Sequence, residues 1–418
     1  MAKIKQIKAR EILASGGAPS LEVDVILDNG AVGSASVSYG VSAGSNEAVV
    51  LLDGDMARYG GKGMLKAISN LNEKITPLLI GKDPSDQRGI DKLIIDADGT
   101  NNKSNFGANA ILGVSMAVAR AAAIDAGLEL FEYLAKCYSL NAKRLPLPKP
   151  MMVMIEGGVH ADNSTDLQEY LVTGLRSDLS AKENVRMQME IYSALKTILK
   201  TIGLNTNVGN EGAFAPYGIA SNEKPLEFLI EAIEKAGYKP GVDAGLSLDA
   251  AASEFYYDGL YQLKTEKRAL DSHKLIEMYL SWFAKYPIVT LEDPLSEFDW
   301  DNWPVIMAKA VKTKIIADDL TVTNTKLWQK AIDQNAANAI LIKLNQAGTV
   351  TETVDCCLLA KKYNLATIPS HRGGGETNDT FLVDLAVAVG SEWIKVGPTR
   401  GERVCKYNRL MKIEELLT

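Results

Sequence analysis

Between Asp249 and Lys395 the chain repeatedly presents a short apolar run that stops at an ionisable residue, and few folds accommodate that pattern. Leu246-Ser247-Leu248 stops at Asp249, Ile288-Val289-Thr290-Leu291 at Glu292, Ile315-Ile316-Ala317 at Asp318, and Ile340-Leu341-Ile342 at Lys343. Ala366-Thr367-Ile368-Pro369-Ser370 leads into His371-Arg372, and Trp393-Ile394 into Lys395. From Glu292 onward the steps are 26, 25, 28 and 24 residues, each with room for one strand, one helix and two short loops. Apolar runs without alternation are what parallel strands covered on both faces look like. In a parallel sheet these charges would all gather at the C-terminal end, where α/β barrels carry their chemistry. A charge buried there is costly unless paired or metal-bound, so a ring of carboxylates and lysines points to a metal site. The competing reading is a periodic set of solvated loop charges.

At 418 residues the chain exceeds one ordinary domain, and two are expected. Hydrophobic residues make up 46% and charged residues 23%, a balance able to bury a large core. A net charge of -7 and the lack of any basic run argue against nucleic-acid or anionic-membrane partners. No uninterrupted apolar stretch has the length of a membrane span, and Met1-Ala2-Lys3-Ile4-Lys5 leads directly into strand-like sequence. The expected location is the cytoplasm. Cys137, Cys356, Cys357 and Cys405 have no Cys-x-x-Cys spacing, so they read as reduced, buried thiols rather than a zinc site. His273 falls in an expected helix, 270–285, and reads as structural or solvated. His160 and His371 sit in polar loops beside glycine.

Residues 3–50 alternate apolar and polar positions around two turn signals, Ser15-Gly16-Gly17-Ala18-Pro19 and Asp28-Asn29-Gly30. This predicts a three-stranded antiparallel sheet. Helices are predicted over 63–79, 85–96, 109–126 (stopped by Gly127) and 130–138. Together they make a small α+β domain over residues 1–138. Three prolines within Leu145-Pro146-Leu147-Pro148-Lys149-Pro150 read as a linker that excludes helix and central strand. The second domain, 139–418, opens with strands near 151–155 and 169–173 and helices over 182–203 and 225–237, then alternates β and α. Tyr256-Tyr257-Asp258-Gly259-Leu260-Tyr261 reads as a hairpin insertion that lengthens the gap between Asp249 and Glu292.

Asp249, Glu292 and Asp318, with no cysteine or histidine cluster nearby, form a hard-oxygen set that suits Mg²⁺. Lys343 and Lys395 follow around the ring. A lysine is a useful base only if its proton affinity is lowered, and a neighbouring ammonium and a divalent cation both disfavour its charged form. A base beside a metal is what abstraction of a proton alpha to a carboxylate requires, since the extra charge on the enediolate must be neutralised. Glu169 and Glu211, facing from the other side, can share one proton and act as acid to a leaving hydroxide. His371-Arg372 before Gly373-Gly374-Gly375 brings a cation and free backbone N–H groups together, which suits a phosphate; a flexible glycine hinge is the alternative.

Several long motifs resemble enolases. They include Val208-Gly209-Asn210-Glu211-Gly212-Ala213-Phe214-Ala215-Pro216, Asp249-Ala250-Ala251-Ala252-Ser253-Glu254-Phe255-Tyr256 and Leu291-Glu292-Asp293-Pro294. Ala317-Asp318-Asp319-Leu320-Thr321-Val322-Thr323-Asn324, Lys343-Leu344-Asn345-Gln346-Ala347-Gly348-Thr349 and Ser370-His371-Arg372 continue the likeness. Phe106-Gly107-Ala108-Asn109-Ala110-Ile111-Leu112-Gly113-Val114 extends it to the small domain, so it spans essentially the whole chain. The resemblance implies an α/β fold, a ββαα(βα)₆ barrel preceded by a small α+β domain, and a homodimer or larger assembly. It implies dehydration of a small phosphorylated carboxylate, 2-phosphoglycerate, with two Mg²⁺ ions. Lys343 is then the base, and Glu211 the acid with Glu169 beside it. Asp249, Glu292 and Asp318 hold the first metal, and Ser42 helps hold the second. His160, Gln168, His371, Arg372 and Lys395 contact substrate or order the site.

The chain departs from the family pattern in the surrounding loops. Tyr39-Gly40-Val41-Ser42-Ala43 stands for Ser-Gly-Ala-Ser-Thr, and Ser15-Gly16-Gly17-Ala18-Pro19-Ser20 for Ser-Arg-Gly-Asn-Pro-Thr. His371-Arg372-Gly373-Gly374-Gly375-Glu376-Thr377 lacks the phosphate-side serine and is one residue longer. Glu156 replaces the Asn of an Asn-Gly-Gly run, and Asn210 replaces an Asp. Three readings follow: an enolase, a paralogue that forms the same kind of enediolate from a related phosphorylated or phosphonate acid, and a binding or structural protein on the same scaffold.

Overall fold

The computed structural model describes residues 2–40, 44–140, 147–162 and 164–417. The alternating N-terminal segment forms β1 (Ile4–Leu13), β2 (Pro19–Leu27) and β3 (Val32–Ser36), an antiparallel sheet in sequence order. On β2, Leu21, Val23, Val25 and Leu27 are buried while Glu22 and Asp24 between them are not, as a sheet with one wet face requires. Helix Ala108–Asp125 packs across β2 and β3. By length and composition it would also pass for a membrane span, although its apolar run is interrupted; in the fold it is a core helix, most of it buried. Helices Gln87–Asp98 and Leu130–Cys137 complete the unit, and the predicted 63–79 helix is continuous but passes through a π-helical turn, Leu71–Ile75.

A two-residue strand, β4 (Tyr39–Gly40), leaves this unit for the mouth of the barrel. The barrel begins with β5 (Lys149–Glu156) and β6 (Glu169–Gly174), followed by helices Ala181–Thr201 and Lys224–Lys235. Six βα units then start at β7 (Ala244–Asp249), β11 (Ile288–Glu292), β12 (Lys314–Ala317), β13 (Ala339–Ile342), β14 (Ala366–Pro369) and β16 (Trp393–Val396). After β7 comes a small antiparallel excursion, β8 (Tyr256–Tyr257), β9 (Leu260–Leu263) and β10 (Arg268–Leu270), one strand more than the expected hairpin. β15 (Gly374–Gly375) pairs with β4. The eight-stranded sheet runs β14-β13-β12-β11-β7-β6-β5-β16, and a parallel bridge between Ser370 and Lys395 joins its ends. This is the expected ββαα(βα)₆ order.

The interior follows from strand alternation. Met151, Val153, Leu171, Ile316, Leu341 and Ile368 fill the barrel, while Met152, Met154, Ile315 and Ile340 point outward under the helices. The proline reading needs correction. Pro150 lies within β5, opposite Ile394 of β16, and the strand tolerates it because the neighbouring Lys149 N–H carries the bond, to Glu392 O. Cys356 and Cys357 are buried as expected, but Cys137 and Cys405 are only half-buried; all four are free thiols.

Candidate active site

β6 runs against both its neighbours, so its first residue reaches the same end as the last residues of the parallel strands. Glu169 is therefore in register with both Glu156 and Asp249, and Asp249 is in register with Glu292. Asp318 and Lys343 follow β12 and β13 directly, and Lys395 lies in β16. One cavity at this end is lined by His160, Gln168, Glu169, Glu211, Asp249, Asp318, Lys343, His371, Arg372 and Lys395. Glu292 joins through Lys395. Ser42 lies outside the described residues.

Two lysines organise the acidic wall. Lys395 Nζ is 2.9 Å from Asp249 Oδ2, 2.7 Å from Glu292 Oε2 and 2.9 Å from Glu169 Oε2. Burial works against its charge, yet those carboxylates outweigh it and raise the lysine well above its ordinary value. One ammonium cannot satisfy three carboxylates. Burial, aggravated by Asp249, keeps Glu292 well above the usual carboxyl range despite Lys395, and Asp249 is raised for the same reason. Lys343 pairs with Asp318, which in turn accepts from Gln346 Nε2 at 2.9 Å. Asp318 outweighs burial and raises Lys343, so the protein's own charges hold this lysine protonated rather than lowering it. That differs from the expected base, whose lowered affinity relied on a divalent cation as well as Lys395.

Asp293 and Asp319 were missed in the sequence, although each directly follows a selected acid. Their ligand oxygens and one of Asp318 lie within 4.8 Å of one another. Asp293, at φ +40°, accepts the N–H groups of Asp318 (3.0 Å) and Asp319 (2.9 Å), which ties the end of β11 to that of β12. Burial and then Asp319 hold Asp293 well above the usual range, and burial and then Asp318 do the same to Asp319. Glu292 Oε1 is buried with no hydrogen-bond partner. A surplus of buried carboxylates and an orphaned oxygen among them fit a divalent cation, held by hard oxygen donors of Asp249, Glu292 and the Asp318 group.

The opposite wall is a histidine–carboxylate group. His160 Nδ1 is 3.4 Å from Glu169 Oε1 and 3.6 Å from Glu211 Oε1. Burial disfavours its charge, but Glu211 and Glu169 overcome it and raise His160 to about 9. His371 and His160 overcome burial at Glu211 and hold it well below the carboxyl range. The proton expected between two carboxylates thus sits on His160. Glu156, fully buried beneath, accepts the N–H of Glu211 at 3.0 Å and of Ala213 at 2.8 Å.

The third side is the loop after β14. Arg372 Nη1 donates to both oxygens of Glu47 at 3.1 Å, and Arg372 N–H donates to Glu376 Oε2 at 2.8 Å. A Cβ on Gly373 would lie 2.5 Å from His160 Nε2 and 2.9 Å from Glu211 Oε1. The family's serine therefore cannot replace Gly373 without displacing the proton-bearing group. Gln168 lines the cavity, and its Oε1 is buried with no hydrogen-bond partner.

A closed ββαα(βα)₆ barrel with carboxylates and lysines at its strand ends, capped by a small α+β unit, defines the enolase superfamily of lyase- and isomerase-type enzymes. The family model described as "Enolase, C-terminal TIM barrel domain" matches residues 144–418, and "Enolase, N-terminal domain" matches residues 4–134. The chain belongs to the enolase family.

Proposed function

We propose that the protein dehydrates 2-phosphoglycerate to phosphoenolpyruvate, with Mg²⁺ as the divalent ion. The observation that supports this reading is that Lys343 and the His160–Glu169–Glu211 group line one cavity from different sides. Bound Mg²⁺ would neutralise charge developing on the substrate carboxylate. Lys343 would lose its ammonium proton to solvent as the cation and Lys395 disfavour its charged form, and its free amine then takes the alpha proton, while Asp318 fixes its Nζ. The group on the other wall supplies a proton to the departing hydroxide, with His160 as the proton store and Glu211, flanked by both histidines, as the conduit. Arg372 and the backbone N–H groups of the glycine run face the phosphate. Purified protein with Mg²⁺ and 2-phosphoglycerate should form phosphoenolpyruvate, followed by its absorbance; no turnover at saturating metal rejects the assignment.

A second reading, an enediolate-forming paralogue acting on a related phosphorylated or phosphonate acid, is supported by Gly373 and Glu156. Both sit against the acid group rather than the base. Turnover of such an analogue with none of 2-phosphoglycerate would select it.

A further inference from the structure

His371 and His160 flank the same carboxylate, Glu211, yet their surroundings differ. The difference originates in Arg403, a fully buried residue of helix Gly401–Leu417. Its Nε–H donates to His371 Nδ1 at 3.2 Å. A guanidinium has donors and no acceptor, so Nδ1 must present its lone pair. The single proton of the neutral ring is then on Nε2, 3.2 Å from Glu211 Oε2, close enough for charge attraction but not aligned as a hydrogen bond.

We propose that Arg403 is a positioning residue that locks His371 as the neutral Nε2–H imidazole, its N–H kept on the side of Glu211 and its ring not a proton acceptor. Protonating Nδ1 would set two N–H groups against each other beside a cation that does not deprotonate. Neither partner has room to turn away. Arg403 Nη2 donates to Arg372 O at 3.3 Å and Nη1 pairs with Glu402, while its Cδ lies 2.7 Å from where a Cβ on Gly397 would sit. The His371 main chain is held by its N–H to Lys395 O at 3.1 Å and by Ser370 Oγ–H to its carbonyl at 2.9 Å. The charged groups facing the ring are Glu211, Arg403 and Glu376. Burial lowers its proton affinity, and Arg403 adds to that against the two carboxylates.

The histidines thus divide the work, His160 carrying the proton that moves and His371 the one that stays. This role rests on the proposed dehydratase reading, but its test does not depend on turnover. The full chain labelled with ¹⁵N-histidine contains three imidazoles, and His371→Gln identifies the one in question. The expected spectrum has His371 as Nε2–H, unchanged between about pH 5.5 and 8, the range over which an ordinary histidine titrates. Arg403→Met should release it to titrate or to populate Nδ1–H, and Arg403→Lys, whose ammonium can still donate to Nδ1, should keep it. An imidazolium or Nδ1–H form in the unmodified protein at neutral pH overturns the proposal, as does an unchanged tautomer in Arg403→Met. If Arg403→Met does not fold, the unmodified spectrum alone decides. Failure of 2-phosphoglycerate turnover would remove the dehydratase reading and leave this tautomer intact.

Discussion

Glu156 gives the most quantitative test of how this site is built. Burial, reinforced by Glu211, raises its carboxyl to about 8, although the N–H groups of Glu211 and Ala213 pull the other way. The ordinary value of 4.5 applies to the unfolded chain. Below about pH 4.5 both states carry the proton and the residue adds no pH dependence. As pH rises from there toward 8, the unfolded chain ionises while the folded protein keeps its proton, so stability falls by about 1.4 kcal/mol per pH unit. Above 8 both states are ionised and the full penalty stays.

Glu156→Gln removes that titration while keeping shape and one acceptor. The stability of the native protein minus that of the variant should fall by about 4 kcal/mol between pH 5 and pH 8. At the acid end the native residue should be the better one, because the amide sets an NH₂ group against a backbone N–H and leaves a donor unpaired. Urea unfolding at a series of pH values, followed by both tryptophan fluorescence and circular dichroism, gives the two curves. Parallel curves would mean that Glu156 is ionised throughout, and the account of the buried acid cluster would be wrong.

Lys343→Ala should reduce turnover by about a hundred- to ten-thousandfold with the fold retained, by circular dichroism; near-normal turnover removes it as the base. A divalent cation at a hundred times its dissociation constant should stabilise the protein by about 2.7 kcal/mol, and Glu292→Gln should abolish this in a thermal shift against EDTA. Identical melting with and without metal would remove the cation reading. Gly373→Ser, which restores the family residue, should cost about 1–3 kcal/mol through overpacking against His160 and Glu211; a more stable and more active variant would refute that geometry. His160, raised from 6.5 to about 9, stabilises the fold fully below pH 6.5 and loses that contribution as pH rises through 9. His160→Gln should flatten this limb by about 3 kcal/mol.

The barrel was legible because its strands are buried on both faces and each ends in a charge, a pattern that loops and helices do not reproduce at a near-constant spacing. Asp249, Glu292, Asp318 and Lys343 could be selected from that alone. Glu169 could not, since its place at the mouth depends on β6 running against its neighbours, and a single strand carries no sign of its direction. Asp293 and Asp319 were hidden by adjacency, because a doubled acid after a strand reads as one ligand and one solvated neighbour. Arg403 was invisible. A charged residue on a terminal helix is ordinarily exposed, and only the close approach of that helix beside Gly397 sinks it under His371. Pro150 misled because a proline in a barrel strand is judged by its missing N–H, whereas only the partner facing that N–H matters.

The departures from the family pattern, scattered along the sequence, converge in space. A Cβ on Gly16 would lie 3.0 Å from Gly374 O, where Ser15 and Glu376, both shared with the family pattern, tie the two loops together: Ser15 N–H donates to Glu376 O at 2.8 Å, Ser15 Oγ donates to Gly374 O at 2.9 Å, and Glu376 N–H donates to Ser15 Oγ at 3.0 Å. Gly374 and Gly375 of β15 pair with Gly40 and Tyr39 of β4. A Cβ on Gly375 would press against the Tyr39 ring, 2.8 Å from its nearest carbons. Gly373 meets His160 and Glu211, and Glu156 holds the backbone of the same Glu211. The altered residues Gly16, Tyr39, Glu156, Gly373 and Gly375 therefore lie along one side of the site, the side the proposed reading gives to phosphate and leaving group, whereas Lys343, Lys395 and the acids ending the parallel strands keep the residues of the family pattern. Groups that touch do not contribute independently, so restoring one family residue at a time perturbs a fitted set rather than rebuilding the contact of the family pattern. On the proposed dehydratase reading, proton abstraction falls to the unaltered wall and the choice of substrate to the altered one.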